Sequence, residues 1–215
     1  MKINKNVLIT LGSVFFIFVL LYGVYLLINK PADYTLSSRI IPGDHVKWSP
    51  AKKNILVEYS DLQCPACKSF NDLLLTFEGS QSAQSDIPAK ITLVYRHFPL
   101  YQIHENAFKL AYAVEAAGKQ DKFFEMVDAI YSSQDELEKV TDTEAFVMKK
   151  ASGLGLDVKR FKNDMDSAEV KSKVDADLAG GESMGISSTP TFFLNGQKLS
   201  FRTVEEFVNI LRNVK

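Results

Sequence analysis

Residues 61–70 read Asp61-Leu62-Gln63-Cys64-Pro65-Ala66-Cys67-Lys68-Ser69-Phe70, and they hold both cysteines of a 215-residue chain. What stands on either side decides the fold. Before them lies NILVEY (54–59), a nearly continuous apolar run bounded by polar residues. A strand covered on both faces reads this way. After them Phe70, Leu73, Leu74 and Phe77 recur at helical spacing from Pro65 onward. Proline suits the first helical position because it has no N–H to lose and its φ is already set. Cys64 therefore falls at the N-terminus of a helix, and Cys67 in its first turn. ITLVYR (91–96) is a second strand. Strand, helix, strand is a βαβ unit with a parallel pair.

A pair three residues apart can clip a metal, staple a loop or exchange disulfides. Structural zinc asks for four ligands. Here there is one cysteine pair, and His45, His97 and His104 make no H-x3–5-H spacing. Zinc then needs His97 and His104 to converge in space. Copper(I) accepts two soft thiolates, so a copper carrier stays open. A staple across so short a loop removes little chain entropy. The redox reading fits the position. A thiolate is the nucleophile in disulfide exchange, and a helix N-terminus favours it through free N–H groups and the positive end of the dipole. On this reading Cys64 attacks and is attacked, and Cys67, one turn inside, resolves.

The rest of the chain frames that unit. From about 104 to 185 the period is helical. Phe123, Phe124, Val127, Ile130 and Tyr131 form one stripe. Thr141 with Glu144 reads as a capping box and Gly153 as a stop. Val158, Phe161 and Met165 make a short helix, and Val170, Val174 and Leu178 make another ending at Gly180-Gly181. TFFLNGQKLSF (191–201) then reads as a hairpin turning at Asn195-Gly196. Thr203 with Glu206 caps a last amphipathic helix.

These motifs together resemble the thioredoxin superfamily. CPAC at a strand-to-helix turn and STPTFF before a late hairpin carry the likeness. The intervening helical block resembles the DsbA type, as do YRHFPLYQIHENAFKLAYAVEAAGKQDKFF and GISSTPTFFLNG, which look like membrane-tethered bacterial DsbA-like proteins. The resemblance implies an α/β thioredoxin fold with a helical insertion at about 104–185. It implies a protein thiol:disulfide oxidoreductase with a Cys64–Cys67 disulfide as its catalytic centre. Thr189-Pro190 matches the family's cis-proline site, which faces the cysteines and, with Pro65 and Ala66, contacts bound substrate. The sequence alone does not show that Pro190 is cis, and an ordinary turn before a strand is the alternative. Glu58 matches the acidic position beneath the pair. On a strand covered from both sides its pKa would rise, and it could relay a proton, through water, to and from Cys67. An edge-facing, solvated Glu58 is the alternative.

One position departs from the family. DsbA has a histidine where this chain has Ala66, and alanine supplies neither its charge nor its hydrogen bond. His97 and His104 read as packing or capping residues. The resemblance implies oxidation of cysteine pairs in exported, unfolded proteins, and reoxidation by a quinone-linked, DsbB-like membrane partner. The residues imply no metal or organic cofactor, and a monomer is expected. Two rivals remain: the same site run as a reductase or isomerase, and a non-catalytic copper(I) carrier or chaperone. The twenty residues 31–50 are too short for the dimerisation domain that isomerases of this superfamily carry.

The first thirty residues are of another composition. Residues 7–28 run 22 positions without a charge, and a helix of that length spans roughly 30 Å, about one bilayer core. A cleavable signal has a shorter apolar region of about 7–15 residues and a small-residue cleavage site, and INKPADY is a poor match. Residues 1–30 are therefore expected to be a transmembrane anchor, 31–50 a tether with one short edge strand, and 51–215 the domain. Lys2 and Lys5 before the run and Lys30 after it favour a cytoplasmic N-terminus and a single-pass protein of the cell membrane. If the segment is cleaved, the domain is secreted or periplasmic. That compartment is oxidising. A net charge of −1 with interspersed signs gives no basic footprint for nucleic acid.

Overall fold

The computed structural model of the protein describes residues 5–28, 33–79 and 86–214. It falls into two units, Met1–Asp33 and Tyr34–Lys215. The first holds helix α1, Lys5–Ile28. Its apolar side chains from Leu11 to Leu26 are largely exposed. Among the described residues no helix is long and apolar enough to cross a membrane, so the expected transmembrane helix is not supported.

The second unit is built on a five-stranded sheet. Its strands are β1 (His45–Trp48), β2 (Asn54–Ser60), β3 (Ile91–His97), β4 (Thr191–Leu194) and β5 (Gln197–Lys198), in the order β1-β3-β2-β4-β5. β2 and β3 pair in parallel, with helices α2 (Pro65–Glu78) and α3 (Ile87–Lys90) between them in the chain. This is the expected βαβ unit. β1 and β4 flank that pair antiparallel. The helical block comprises α4 (Ala107–Gly118), α5 (Phe123–Tyr131), α6 (Gln134–Leu137), α7 (Thr143–Gly153), α8 (Val158–Asp166) and α9 (Ala168–Ser183). Helix α10 (Val204–Arg212) closes the chain behind the Thr203 cap, whose hydroxyl accepts the Glu206 N–H.

Register sorts β2 into two faces. Leu56, Glu58 and Ser60 stand beside Leu93, Tyr95 and His97 of β3; Val57 and Tyr59 stand beside Val94 and Arg96. On the first face, Leu56 and Leu93 bury with Phe77, Phe192 and Phe207, and Tyr95 buries with Cys67 and Tyr131. On the second, Val57 and Tyr59 bury with Phe193, Met184 and Ile186. At the hairpin Asn195 and Gly196 both take positive φ, 51° and 81°, which the strongest two-residue hairpin turns require.

Three expectations are corrected. Residues 34–50 are not a tether. Leu36, Ile40 and Tyr34 pack on the Val57 face, and Asp44 with the carbonyls of Leu36 and Arg39 binds buried Arg96. The expected edge strand is β1. The cap of α7 is Asp142, which accepts the Ala145 N–H, rather than Thr141. Gly180-Gly181 lies inside α9 instead of ending it. A Cβ on Gly181 would come within 2.6 Å of the Phe98 ring, so this glycine allows close helix–sheet approach, and Gly185 at φ +72° follows the helix end.

Candidate active site

The strand-to-helix turn is held from three sides. Asp61, buried, accepts the Gln63 N–H on one carboxylate oxygen and the Leu100 N–H on the other, where His104 Nδ1 also lies at 2.9 Å. Gln134 of α6 donates to the carbonyls of Leu62 and Cys64. Cys64 is the N-cap of α2 and Pro65 opens it. Pro65 and Ala66 are exposed, while Cys64 is 7% exposed and Cys67 fully buried. Both cysteines are thiols here.

The loop before β4 faces them. The Thr189–Pro190 bond is cis. As a thiol, Cys64 donates to the Thr189 carbonyl at 3.5 Å. The Thr189 hydroxyl is buried and has no partner while Cys64 is a thiol; it serves the thiolate instead.

The two sulfurs are driven apart. The Cys67 S–H donates to Cys64 and pulls its pKa down to about 5. Burial opposes this, and the Thr189 hydroxyl with the Ala66 and Cys67 N–H groups reinforces it. Burial pushes Cys67 well above the ordinary thiol range, and its donation to Cys64 pushes it further. One consequence is measurable. Alkylation of Cys64 should stay fast from pH 8 down to 6 and halve near pH 5, followed by mass spectrometry of the labelled peptide. Cys67→Ala, which removes the largest stabilising donor, should move that midpoint upward; an unmoved midpoint would contradict the assignment.

Glu58 lies on the same sheet face beneath the pair, 3% exposed. Burial raises its pKa to about 7, against the Ser60 hydroxyl, which donates to it at 2.8 Å, and Lys47. An acid whose folded pKa exceeds its unfolded value holds a proton that the unfolded chain has lost, so stability falls as pH rises from about 4.5 to 7. In the reduced protein Glu58→Gln should therefore gain up to about 3 kcal/mol at pH 8 and less than about 1 kcal/mol at pH 5. Urea unfolding at the two pH values checks this. An equal effect at both would remove the linkage.

Zinc through His97 and His104 has no geometry here: His104 goes to Asp61 and His97 to Glu115. Among the described residues His97, Glu115 and Asp177 do stand with ligand atoms within 4.8 Å. Protein groups already serve them. Glu115 receives His97 at 3.0 Å and His45 at 2.9 Å, and Asp177 receives the His97 N–H and the Lys173 ammonium. Burial pushes the Glu115 carboxyl up, but the two imidazoles hold it below the usual range. Ser60, Asp61, Tyr131 and Gln134 escaped the sequence reading. Asp61, placed two residues before Gln63, could have been found as a side-chain turn; the others had no local signal.

Comparison with known proteins agrees with this fold. The family model Thioredoxin_4, described as thioredoxin, matches residues 42–213. Among solved structures, alpha-DsbA1 of Wolbachia pipientis is 20% identical, with a TM-score of 0.69 over 85% of this chain and 95% of that one. Oxidised BdbD of Bacillus subtilis is 21% identical, with a TM-score of 0.67 over 80% and 93%. At such identities these likenesses concern the fold, which is DsbA-like. A curated relative, Na(+)/H(+) antiporter NhaA 1 of Mycobacterium sp. (strain KMS), is 33% identical over 172 residues, 79% of this chain and 26% of that protein. The chain thus spans about a quarter of the length of the curated relatives it matches.

Proposed function

The chain belongs to the Thioredoxin_4 family of thioredoxins, and from that premise we propose that it is an extracytoplasmic protein thiol:disulfide oxidoreductase that oxidises cysteine pairs in exported proteins. The observation that carries this is the asymmetry of the two thiols beside the cis-proline loop. Cys64 is a thiolate at neutral pH, and Cys67 is buried and protonated. A low thiol pKa makes a good leaving group. A substrate thiolate attacks Cys64 of the enzyme disulfide, and Cys67 leaves and takes up a proton. The second substrate thiolate then attacks the substrate sulfur of the mixed disulfide, and Cys64 departs as thiolate. One substrate disulfide forms for each enzyme disulfide reduced. Glu58 supplies and accepts the Cys67 proton, and Thr189 with Pro190, Pro65 and Ala66 borders the substrate. A quinone-linked, DsbB-like membrane protein reoxidises the pair, as the resemblance implies.

The reduction potential tests the direction. Equilibration with glutathione should give roughly −120 to −180 mV, the range of disulfide donors. A value near −270 mV, that of thioredoxin, would favour the reductase reading. Exposed Ala66, which offers only its backbone N–H to the thiolate, supports that second reading. The location belongs to the same proposal, with residues 7–28 as an uncleaved anchor and the N-terminus inside. Its support is in the sequence, the 22 uncharged residues with Lys2 and Lys5 before them and Lys30 after. Release of the native protein by alkaline carbonate, or a mass short of the full chain, would overturn it.

A further inference from the structure

Beside Glu58 stands a hydroxyl, and the arrangement around it is complete in two proton orders. Ser60 is 1% exposed and shares the Glu58 face of β2. Its Oγ lies 2.8 Å from Glu58 Oε1 and 2.9 Å from the Tyr131 hydroxyl of α5. Tyr131, fully buried, also reaches the Asp61 carbonyl at 3.3 Å. A hydroxyl has one proton to give and two lone pairs. With Glu58 ionised, Ser60 donates to the carboxylate and Tyr131 donates to Ser60. With Glu58 protonated, the acid donates to Ser60 and Tyr131 donates to the Asp61 carbonyl. The Ser60 proton is then free to serve the Cys67 sulfur, whose pKa burial raises and the Ser60 hydroxyl lowers. Neither order leaves the Ser60 hydroxyl without a donor or an acceptor.

We propose that the Ser60 hydroxyl relays the proton between the Glu58 carboxyl and the Cys67 thiol, with Tyr131 completing the chain in both orders. The inference rests on the thiol exchange proposed above and gives it a route that needs no water. When Cys67 attacks a mixed disulfide at Cys64, its S–H bond breaks and the proton passes to Ser60 Oγ. The proton that Ser60 carried passes to Glu58. The sulfur lone pair forms the Cys67–Cys64 bond, and the former substrate sulfur leaves as thiolate with the bonding pair. When Cys67 is the leaving group the same two protons return. Among the described residues, the other titratable or charged groups acting on Glu58, Tyr95 and Tyr131 here are Lys47 on β1, Asp61 in the turn, and Cys64 with Cys67 on α2. None of these links Glu58 to Cys67 by a hydrogen bond.

A two-step release isolates the relay. Reduced protein mixed with a dithiobis-nitrobenzoate disulfide loads one thionitrobenzoate on Cys64, and Cys67 then expels it. In the wild type the second release should quicken with pH through about 7, as Glu58 ionises, and then level. In Ser60→Ala it should slow about tenfold or more at pH 7.5 and keep rising into the alkaline range without that inflection. The first release should be unchanged. Ser60→Thr, which keeps the hydroxyl, should restore both rate and inflection, and a rescue of this kind is beyond a merely structural serine. Glu58→Gln should lose as much as Ser60→Ala, and the double variant no more than either. Ser60→Ala with the wild-type rate and inflection would overturn the relay and leave exchange intact. Absence of any second release in the wild type would instead overturn the exchange reading, and the relay with it. Where Ser60→Ala does not fold, solvent deuterium mixtures decide on the wild type. A curved dependence on deuterium fraction supports two protons in flight, and a straight line overturns the relay.

Discussion

Replacing Cys64 with serine is expected to abolish disulfide exchange, a loss on the order of 10⁴-fold or more, while replacing Cys67 with serine should trap it half-way. The two thiols hold different offices. Cys64 is the sulfur at the surface side of the turn, held as thiolate by the Cys67 S–H, by Thr189 and by the first N–H groups of α2. A serine hydroxyl there stays protonated and is no leaving group, so no mixed disulfide can form with substrate. Cys67 is fully buried, and its S–H donates to Cys64. Without it, Cys64 still attacks a substrate disulfide, but nothing within the protein expels the product. Cys67→Ser should therefore accumulate mixed disulfides, visible as reducible adducts on a non-reducing gel, and Cys64→Ser none. Exchange that survives Cys64→Ser would remove the oxidoreductase reading and leave a binding module. Stoichiometric copper(I) uptake destroyed by Cys67→Ser would point to the carrier.

What could be read along the chain was what local chemistry encodes. Pro65 and the Phe70–Phe77 spacing mark the helix on which the cysteines sit, and Asn195-Gly196 marks the hairpin, because proline and glycine act through their own backbone. Glu58 was legible as a carboxyl in an apolar strand, and the structure buries it. Ser60 was not, since a serine at a strand end fits a solvated position equally well. Its meaning comes from Tyr131, about seventy residues on, which reaches it only once α5 packs on the sheet. The same reason hid residues 34–50. Their proline, serine and aspartate composition reads as linker, and what orders them is Arg96, a charge at the end of ITLVYR. A charge in so apolar a strand implies a buried partner, but spacing does not say which.

Arg96 is accordingly the side chain whose loss should cost most in stability. It is completely buried, and each of its five N–H donors has an acceptor. Nε and one Nη2 proton form a fork on the Asp44 carboxylate at 3.0 and 2.8 Å. The others reach the Leu36 carbonyl at 2.8 Å, the Arg39 carbonyl at 2.9 Å and the Tyr59 hydroxyl at 3.2 Å. One guanidinium thus ties the segment before β1 to the centre of the sheet. Arg96→Leu leaves the Asp44 carboxylate buried without its cation and two carbonyls without donors. Removing one member of a buried pair costs about 3–5 kcal/mol, against a typical total of about 5–15. Arg96→Lys keeps the charge but has three donors on a different geometry and should recover only part of it. Arg96→Leu with Asp44→Leu removes both charges and should be less damaging than the sum of the singles, because neither ion is then stranded. Urea unfolding of the four proteins measures all of this. The two changes simply adding would mean that Arg96 and Asp44 act independently, and the segment 34–44 would then owe its order to the apolar contacts of Tyr34, Leu36 and Ile40 alone.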